Sequence, residues 1–584
     1  MEKKKTDPAQ VWDEYNKCIT YNASIGLYER VRQNEDFFIG DQWKGVVAPD
    51  LEKPVINFLK RVVTYLLAML ATDDISADVR TQNSAAGIRN AGTAMDEAGA
   101  MIPVTEQVEI PAASVAQILD AEIDKVLEKT KAKTRGRLLL RNSAVDGDGY
   151  FYTYIRQPKN RPAEICIEVI DNDKVLYIDP YTHEAEEQTG IIICQRLPLE
   201  KVRRMAEELG TARDEIEKII PDGGGLYSSE ESGFDSNLVT VLTKFWKENG
   251  TVWFTKTTEA AVIVRSTDTG LTRYPVAGMP WELKKDGYHG QAVLTGLIPN
   301  QIFVNKMMAM AMEQEKRLAF PKIFYNGTLI GNWTNKVGEA VRVAGDPNLA
   351  VASSWRAADM SDQVLLVIDR IISYSKDFMG ANDAALGNIT NPDNTSAIIA
   401  VQKASQAPLE LQRLAYYQLW EDEVYILIEM ICRYYGLRDI DPEKNDAGIS
   451  RFDFAQVDLG ALDVAVDVGA SSYWSELMQV QTADALFSNG VFSDVVDYLK
   501  RIPDQYVRDK KDLIKKIEEQ RQMQQEQAEK QTAAAQEAGM TPEEAEAAAA
   551  GAQQGEADAN KAQRKALLSV LKQQFDSGKE SKTK

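Results

Sequence analysis

A chain of 584 residues, 44% hydrophobic and 27% charged, is long enough to bury a large core in several domains and has the balance of a soluble globular protein with polar extensions. Its net charge of −21 excludes a surface that grips DNA all over through phosphates, so any contact with DNA is local or lets the duplex slide past. Four cysteines without a CxxC pair, and two histidines (His183 and His289) not at ligand spacing, argue against a disulfide frame, structural zinc and histidine-dependent catalysis.

The N-terminus, MEKKKTDPAQ, runs into a polar helix rather than an apolar segment, so no secretory leader is expected. That first helix is predicted over Pro8 to Phe38, and Phe37-Phe38-Ile39-Gly40-Asp41-Gln42-Trp43 ends it with a glycine stop and packed aromatics. A second helix follows from Val55 to Leu70. Asn57, Lys60 and Arg61 interrupt its apolar run, which falls short of the roughly 20 residues a membrane span needs. Ile75 to Arg80 reads as an extended strand, and the small, polar stretch 81–112 as a loop or poorly ordered insertion. Val115, Ile118, Leu119, Ile123, Val126 and Leu127 recur at helical spacing, and the helix is expected to continue to Val145. Asp146-Gly147-Asp148-Gly149 then turns into an aromatic strand, Tyr150 to Ile155. Calcium fits this turn poorly, because Tyr150 stands where an EF-hand needs an oxygen ligand. Strands are predicted within 164–200, a helix from Leu199 to Ile220, a breaker loop at Pro221 to Gly225, and strands at Leu238 to Trp246 and Val252 to Phe254.

The segment from Gly290 to Gly380 is more informative. Its first helix is apolar almost all the way round from Gln301 to Leu318, through Ile302, Phe303, Val304, Met307, Met308, Met310 and Met312. A helix without a polar face must be covered on several sides, by its own fold or by neighbouring copies. The second helix starts at Asp359 or Ser361, stops at Gly380, and repeats the pattern with Val364, Leu365, Val367, Ile368, Ile371 and Ile372. Between them Lys322 to Ile330 reads as a β-hairpin turning on Asn326-Gly327, so two packed helices carry a small β module at their far end. Ala381 to Ser396 is irregular and Asn-rich. A strongly patterned helix spans Leu409 to Tyr435 and stops at Gly436, and strands at Phe452 to Phe454 and Val464 to Val468 close the body. Two short helices are expected between Ser475 and Leu499. From Asp509 the chain becomes Gln/Glu/Lys-rich; beyond a capping box at Thr541 to Glu544, Gly551 and Gly555 interrupt it, and only partial order is expected.

With Gly290 leading into a helix that holds Gln301 and Asn305 and ends before Pro321, the chain resembles the portal proteins of tailed bacteriophages. The aromatic-Gly-Asp-Gln-aromatic stretch at residues 38–43, the helix-then-strand order after it and the strand ending in Asp179-Pro180 belong to the same resemblance, which covers roughly Tyr15 to Leu499 as an order of weak motifs. It implies an α+β portal fold. The expected parts are N-terminal helices with a wing/core α+β domain (1–290), stem helix 1 (291–319), clip (320–358), stem helix 2 (359–380) and channel loop (381–402). A long helix returning to the wing (403–470), an α-helical crown (471–508) and a partly disordered tail (509–584) follow. It also implies a homo-oligomeric ring, a dodecamer, at one capsid vertex of the virion, assembled in the host bacterial cytoplasm. Through that ring a separate motor would package double-stranded DNA, which is later ejected. The implied partners are the major capsid protein, the terminase large subunit and head-tail adaptor proteins, with transient DNA contact and no membrane.

Under that resemblance Ile302, Phe303, Met307, Met310, Val364, Ile368 and Ile371 are the candidates for packing between stem subunits. Asn388, Asn391 and Asn394 are the channel-loop candidates, because amides reach phosphates without strong binding, and Lys403 supplies a weak basic contact. Each reads equally well as a loop residue capping local backbone. Lys336, Arg342 and Arg356 are candidates for partner docking at the clip, each also readable as an ordinary surface charge.

Enzyme motifs fail one by one. His183-Glu184-Ala185-Glu186-Glu187 lacks the second histidine of a zinc protease, the glycines at 223–225 lack the Gly-Lys-Ser/Thr of a phosphate loop, and Gly469 to Tyr473 lacks the last glycine of a nucleophile elbow. No enzyme and no cofactor are expected. The alternatives to a portal subunit are another virion ring or connector without a DNA-translocating channel, and an enzyme with an unrecognised site.

Overall fold

The computed structural model describes residues 7–49, 51–71, 112–157, 162–222, 237–285, 287–320, 322–331, 363–381, 407–441 and 449–457 as longer stretches. Short pieces at 79–80, 88–90, 93–95, 101–103, 108–110, 342–346, 348, 352–355, 465–466, 487, 496, 498–499 and 517 complete the described set. The chain divides into two units, Met1–Ala470 and Ser471–Lys584. Unit 1 is a mixed α+β structure with antiparallel sheets. In unit 2 residues 487, 496 and 498–499 are helical, and the Phe487 and Tyr498 rings stack at 4.3 Å.

Asp7 accepts the Ala9 N–H (3.0 Å) and Pro8 sets the first turn of α1 (Pro8–Ser24). The single helix expected to Phe38 is instead two. Gly26 adopts the left-handed region (φ 66°), which ends α1 and starts α2 (Leu27–Ile39), and Gly40 (φ 108°) stops the second helix as its spacing predicts. Asn57 caps α3 (Phe58–Leu70) by accepting the Lys60 N–H, so this helix starts later than Val55. Of the expected strand Ile75 to Arg80, β1 (Val79–Arg80) is described and 72–78 lie outside the described residues.

The stretch 81–112, expected as a loop or poorly ordered insertion, contains strands β2 (Ile88–Asn90), β3 (Thr93–Met95), β4 (Met101–Pro103) and β5 (Val108–Ile110). β2 pairs with β5 and β3 with β4, both antiparallel, as one ladder nested inside another. Backbone pairing needs no apolar periodicity, which is why composition missed it. The long helix expected to reach Val145 is also broken, into α4 (Ala112–Lys129) and α5 (Ala132–Asp146), where Lys131 takes a left-handed φ of 54°.

Two sheets follow. β6 (Asp148–Arg156) and β7 (Glu164–Ile170) belong to the first, and β8 (Val175–Tyr177) and β9 (Gly190–Pro198) open the second. Next come α6 (Leu199–Glu208) and α7 (Arg213–Glu217), which Gly210 (φ 74°) separates where one helix was expected. The triple glycine at 223–225 lies outside the described residues. β10 (Leu238–Glu248), β11 (Thr251–Thr257) and β12 (Val262–Asp268) complete the five-stranded sheet, in the order β12-β11-β10-β9-β8, and β13 (Val276–Pro280) completes the three-stranded β13-β6-β7. The remaining elements are α8 (Val293–Ala319), β14 (Lys322–Tyr325), β15 (Ala352–Trp355), α9 (Gln363–Phe378), α10 (Glu410–Tyr434), β16 (Leu437–Asp439), β17 (Arg451–Asp453) and β18 (Ala465–Val466). β18 pairs with β1, Val79 opposite Val466, so strands far apart in sequence close the body.

The main core lies where α5 and α10 cover the three-stranded sheet. Phe151 of β6 meets Trp420 of α10 edge-on at 5.2 Å, and Gly136 of α5 lets them close: a Cβ there would stand 2.8 Å from the Trp420 ring. The five-stranded sheet packs α1 on one face through Val11, Cys18, Leu176, Ile192 and Leu242. On the other face Val239, Val241 and Ile263 receive Val202 and Ala206 of α6.

Candidate assembly surface on the helical stalk

The stalk grows out of a buried polar joint. Asp148, at the start of β6, accepts from the Gly290 N–H through Oδ1 (2.5 Å) and pairs through Oδ2 with His289 Nδ1 (2.8 Å). His289 Nε2 faces Asn22 Oδ1 of α1 at 3.3 Å, and the imidazole lies 4.0 Å from the Tyr288 ring. Both His289 and Asp148 are buried, and each ring nitrogen of the imidazole has a partner, so the pair fixes the chain's path into the stalk. Burial raises the Tyr288 and Tyr150 phenols well above their ordinary range, so both stay neutral around it. Gly290 must be glycine: a Cβ would fall 2.7 Å from the Gly147 carbonyl oxygen.

The lower half of α8 is then built into the body. Val293, Leu294, Leu297 and Ile298 are buried, and Asn34 of α2 spans the Val145 carbonyl (2.7 Å) and Thr295 Oγ1 (2.9 Å). One turn further, Gln301 Nε2 donates to the Ile56 carbonyl (2.8 Å) and to Asn305 Oδ1 (2.9 Å). Asn305 Nδ2 donates to Gln42 Oε1 (2.6 Å), whose own amide reaches the Phe37 carbonyl (3.0 Å). The Gly-Asp-Gln-Trp stretch and the internal Gln and Asn of α8, both marked in the sequence, thus meet in one buried network that ties the stalk to the end of α2. Such a network is costly to break, since each freed amide would be left buried and unpaired.

Above this joint the helix pair runs out of cover. α9 packs against α8, with Ile368 buried and Ser375 accepting from Asn300 Nδ2 at 3.0 Å, while Ile302, Met307, Val364 and Ile371 are partly buried against the core. Phe303 and Met310 of the packing candidates face solvent, Met310 being 62% exposed. Met312 of α8, Phe320 just beyond its end, and Leu365, Leu366, Val367, Tyr374 and Phe378 of α9 share that exposure, Phe378 reaching 80%. Apolar exposure of this kind makes the stalk a candidate interaction surface. Charge does not oppose it: α8 carries three cations and two carboxylates and α9 two of each, against −21 for the whole chain. Lys316 pairs with Glu52 across the stalk's outer side and holds the Glu52 carboxyl below its ordinary range.

At the far end the expected local hairpin is corrected. β14 pairs not with Thr328 to Ile330 but with β15, Lys322 opposite Trp355 and Tyr325 opposite Ala352. Gly327 does not take a positive φ, so Asn326-Gly327 cannot form the mirror-image turn of a two-residue hairpin. Asn326 instead accepts the Thr328 N–H (3.0 Å) through its side chain and the Leu329 N–H (3.1 Å) through its carbonyl. Ile330 bridges Val343 beside the exposed Arg342, and Phe324 and Tyr325 are exposed on β14.

Lys336, Arg356, Asn388, Asn391, Asn394 and Lys403 lie outside the described residues, as do Asp359 and Ser361, the expected start of α9. Gly380 (φ 70°) ends α9, with the Ala381 N–H returning to the Lys376 carbonyl (2.9 Å). Sequence reasoning missed Gln42, Asn34 and His289 as parts of the joint, since only the fold brings them to α8. Among the described residues no group of His, Cys, Asp and Glu forms a metal site, and no helix is long and apolar enough to cross a membrane. In comparison with known proteins, no family model matches the chain and no curated protein is significantly similar to it.

Proposed function

We propose that the chain is the subunit of a portal ring, the head-to-tail connector of a tailed bacteriophage. In this reading α8 and α9 are the stem, β14 and β15 belong to the clip, residues 381–402 form the channel loop, and α10 returns to the wing. The observation that carries it is the apolar outer face of the stalk: Phe303, Met310, Leu366 and Phe378 are exposed in the single chain on an element that a rigid polar joint holds to the body. A closed ring of identical copies covers such a face on each subunit with a different face of the next, which a two-fold dimer does not require.

The activity is mechanical. A ring with acidic walls lets DNA pass without sticking, the clip offers the terminase motor and later the adaptors a docking platform, and chemistry is left to the motor. Electron microscopy of the purified full-length chain tests this. End-on rings with a central hole are expected, and a compact monomer at micromolar concentration in assembly-permitting buffer overturns the proposal.

A further inference from the structure

The chain's acidity is not evenly spread. α3 contains no carboxylate, and the one carboxylate of α5, Asp146, is buried at its last residue. Against this the two helices carry Lys60, Arg61, Lys133, Arg135, Arg137 and Arg141. Lys133, Arg137 and Arg141 stand four residues apart, so they share one face of α5 at steps of about 6 Å along its axis. α3 packs beside α5, and the two rows converge on one ring: Lys60 Nζ lies 5.8 Å and Arg141 Cζ 5.2 Å from the Phe38 centroid. Glu35 pairs with Arg141, while Lys60, Arg61 and Arg137 have no ion-pair partner among the described residues.

From this juxtaposition we infer that the outer face of α3 and α5 is a binding track for the phosphate backbone of duplex DNA. A row of cations about 12 Å long on α5, met at its Arg141 end by Lys60 of α3, matches a rod that carries one negative charge per about 1.7 Å. A bilayer surface would need an apolar face to insert. Here α3 exposes no large apolar side chain and α5 exposes only Leu138 among the described residues, while Leu139, Leu140 and Ala144 are turned into the core. A protein partner would need a buried aromatic anchor at the centre of its contact, and this face offers charge instead. The inference stands on charge and geometry whether or not the chain forms a ring.

The test is fluorescence anisotropy of the full-length protein with a labelled 20-base-pair duplex of arbitrary sequence, titrated at several salt concentrations. Lys60→Gln/Arg61→Gln/Arg137→Gln is expected to weaken binding at least about tenfold at low salt and to lower the slope of log K against log salt by about 3, one unit per lost phosphate contact. Arg137→Lys, which keeps the charge, retains binding. An equal removal of charge elsewhere, Lys17→Gln/Lys201→Gln/Arg213→Gln, is expected to leave affinity within about twofold, since those residues lie off the track. The proposal is overturned if the parent protein does not bind at low salt, if both triple variants lose affinity equally, or if phosphatidylserine vesicles or poly-glutamate bind the parent more tightly than the duplex. Electron microscopy of the same preparations scores rings separately, so failure of the track and failure of the portal reading are told apart.

Discussion

Glu423 is the residue whose chemistry is furthest from what its position in the chain suggests. It is fully buried where α10 crosses β6, with Oε1 accepting from Thr153 Oγ1 at 2.5 Å and Oε2 without a hydrogen-bond partner among the described residues. Burial pushes its carboxyl up to about 7, against the pull of the Thr153 hydrogen bond. Between its ordinary 4.5 and about 7 the folded chain keeps a proton that the unfolded chain has released. The stability this group permits is therefore full below that window and is lost as pH rises through it. Asp146, also pushed up to about 7 by burial, acts with the same sign. Glu423→Gln cannot ionise, so its stability relative to the parent, read by thermal melting, should climb from pH 5 to pH 8, on the order of 1 kcal/mol per pH unit inside the window. A difference that does not change with pH would show that Glu423 is not protonated in the fold. The sequence marked this helix as patterned but not this carboxylate as neutral, because only the crossing of α10 over Thr153 removes its water.

At the scale of the element, the stalk separates residues that hold the chain's own fold from residues left for something else. Ile368 is buried between the stalk and the core, and Ile368→Ala should cost about 2–5 kcal/mol of stability. Leu366, two residues away and 50% exposed, belongs to the outer face. Leu366→Asp should leave the single chain's stability within about 0.5 kcal/mol and abolish higher assembly, read by thermal melting and sedimentation velocity together. An assembly that survives Leu366→Asp would place the subunit contact elsewhere. The two helices and their apolar residues were legible from the sequence by periodicity alone. Which apolar residues face inward was not, since a helix apolar on several sides carries no phase information. The tip shows the same limit: Asn326-Gly327 is a strong local hairpin signal, yet β15, 27 residues further along at its nearest, is the partner that β14 takes.

For the whole molecule, the proposed assembly makes charge the deciding quantity. In the proposed ring, a net charge of −21 per chain sets copies against one another, and the charge-balanced stalk is where contact meets least repulsion. Raising salt from about 50 mM to about 500 mM shortens the screening length several-fold and should shift sedimentation toward the assembled form. Assembly that weakens with salt would mean that ion pairs, not the apolar face, hold the copies together. The same change should weaken any contact of the α3–α5 face with DNA, so the two surfaces respond to salt in opposite directions.

What the sequence determined by itself is what short-range physics writes into it. The helix stops at Gly40, Gly380 and Gly436, the turn from Gly147 into an aromatic strand, the long patterned helix α10 and the α+β class all follow from local conformational preference and apolar spacing. The left-handed breaks at Gly26, Lys131 and Gly210 are not legible in the pattern, because helical residues flank each of them and periodicity does not register a single residue's φ. Only the tertiary structure decided that Gln42 meets Asn305, that Asp148 holds His289 and Gly290, and that β1 pairs with β18. These are contacts between distant segments whose partners are chosen by burial and hydrogen-bond satisfaction in three dimensions, and no local pattern encodes which partner will be there.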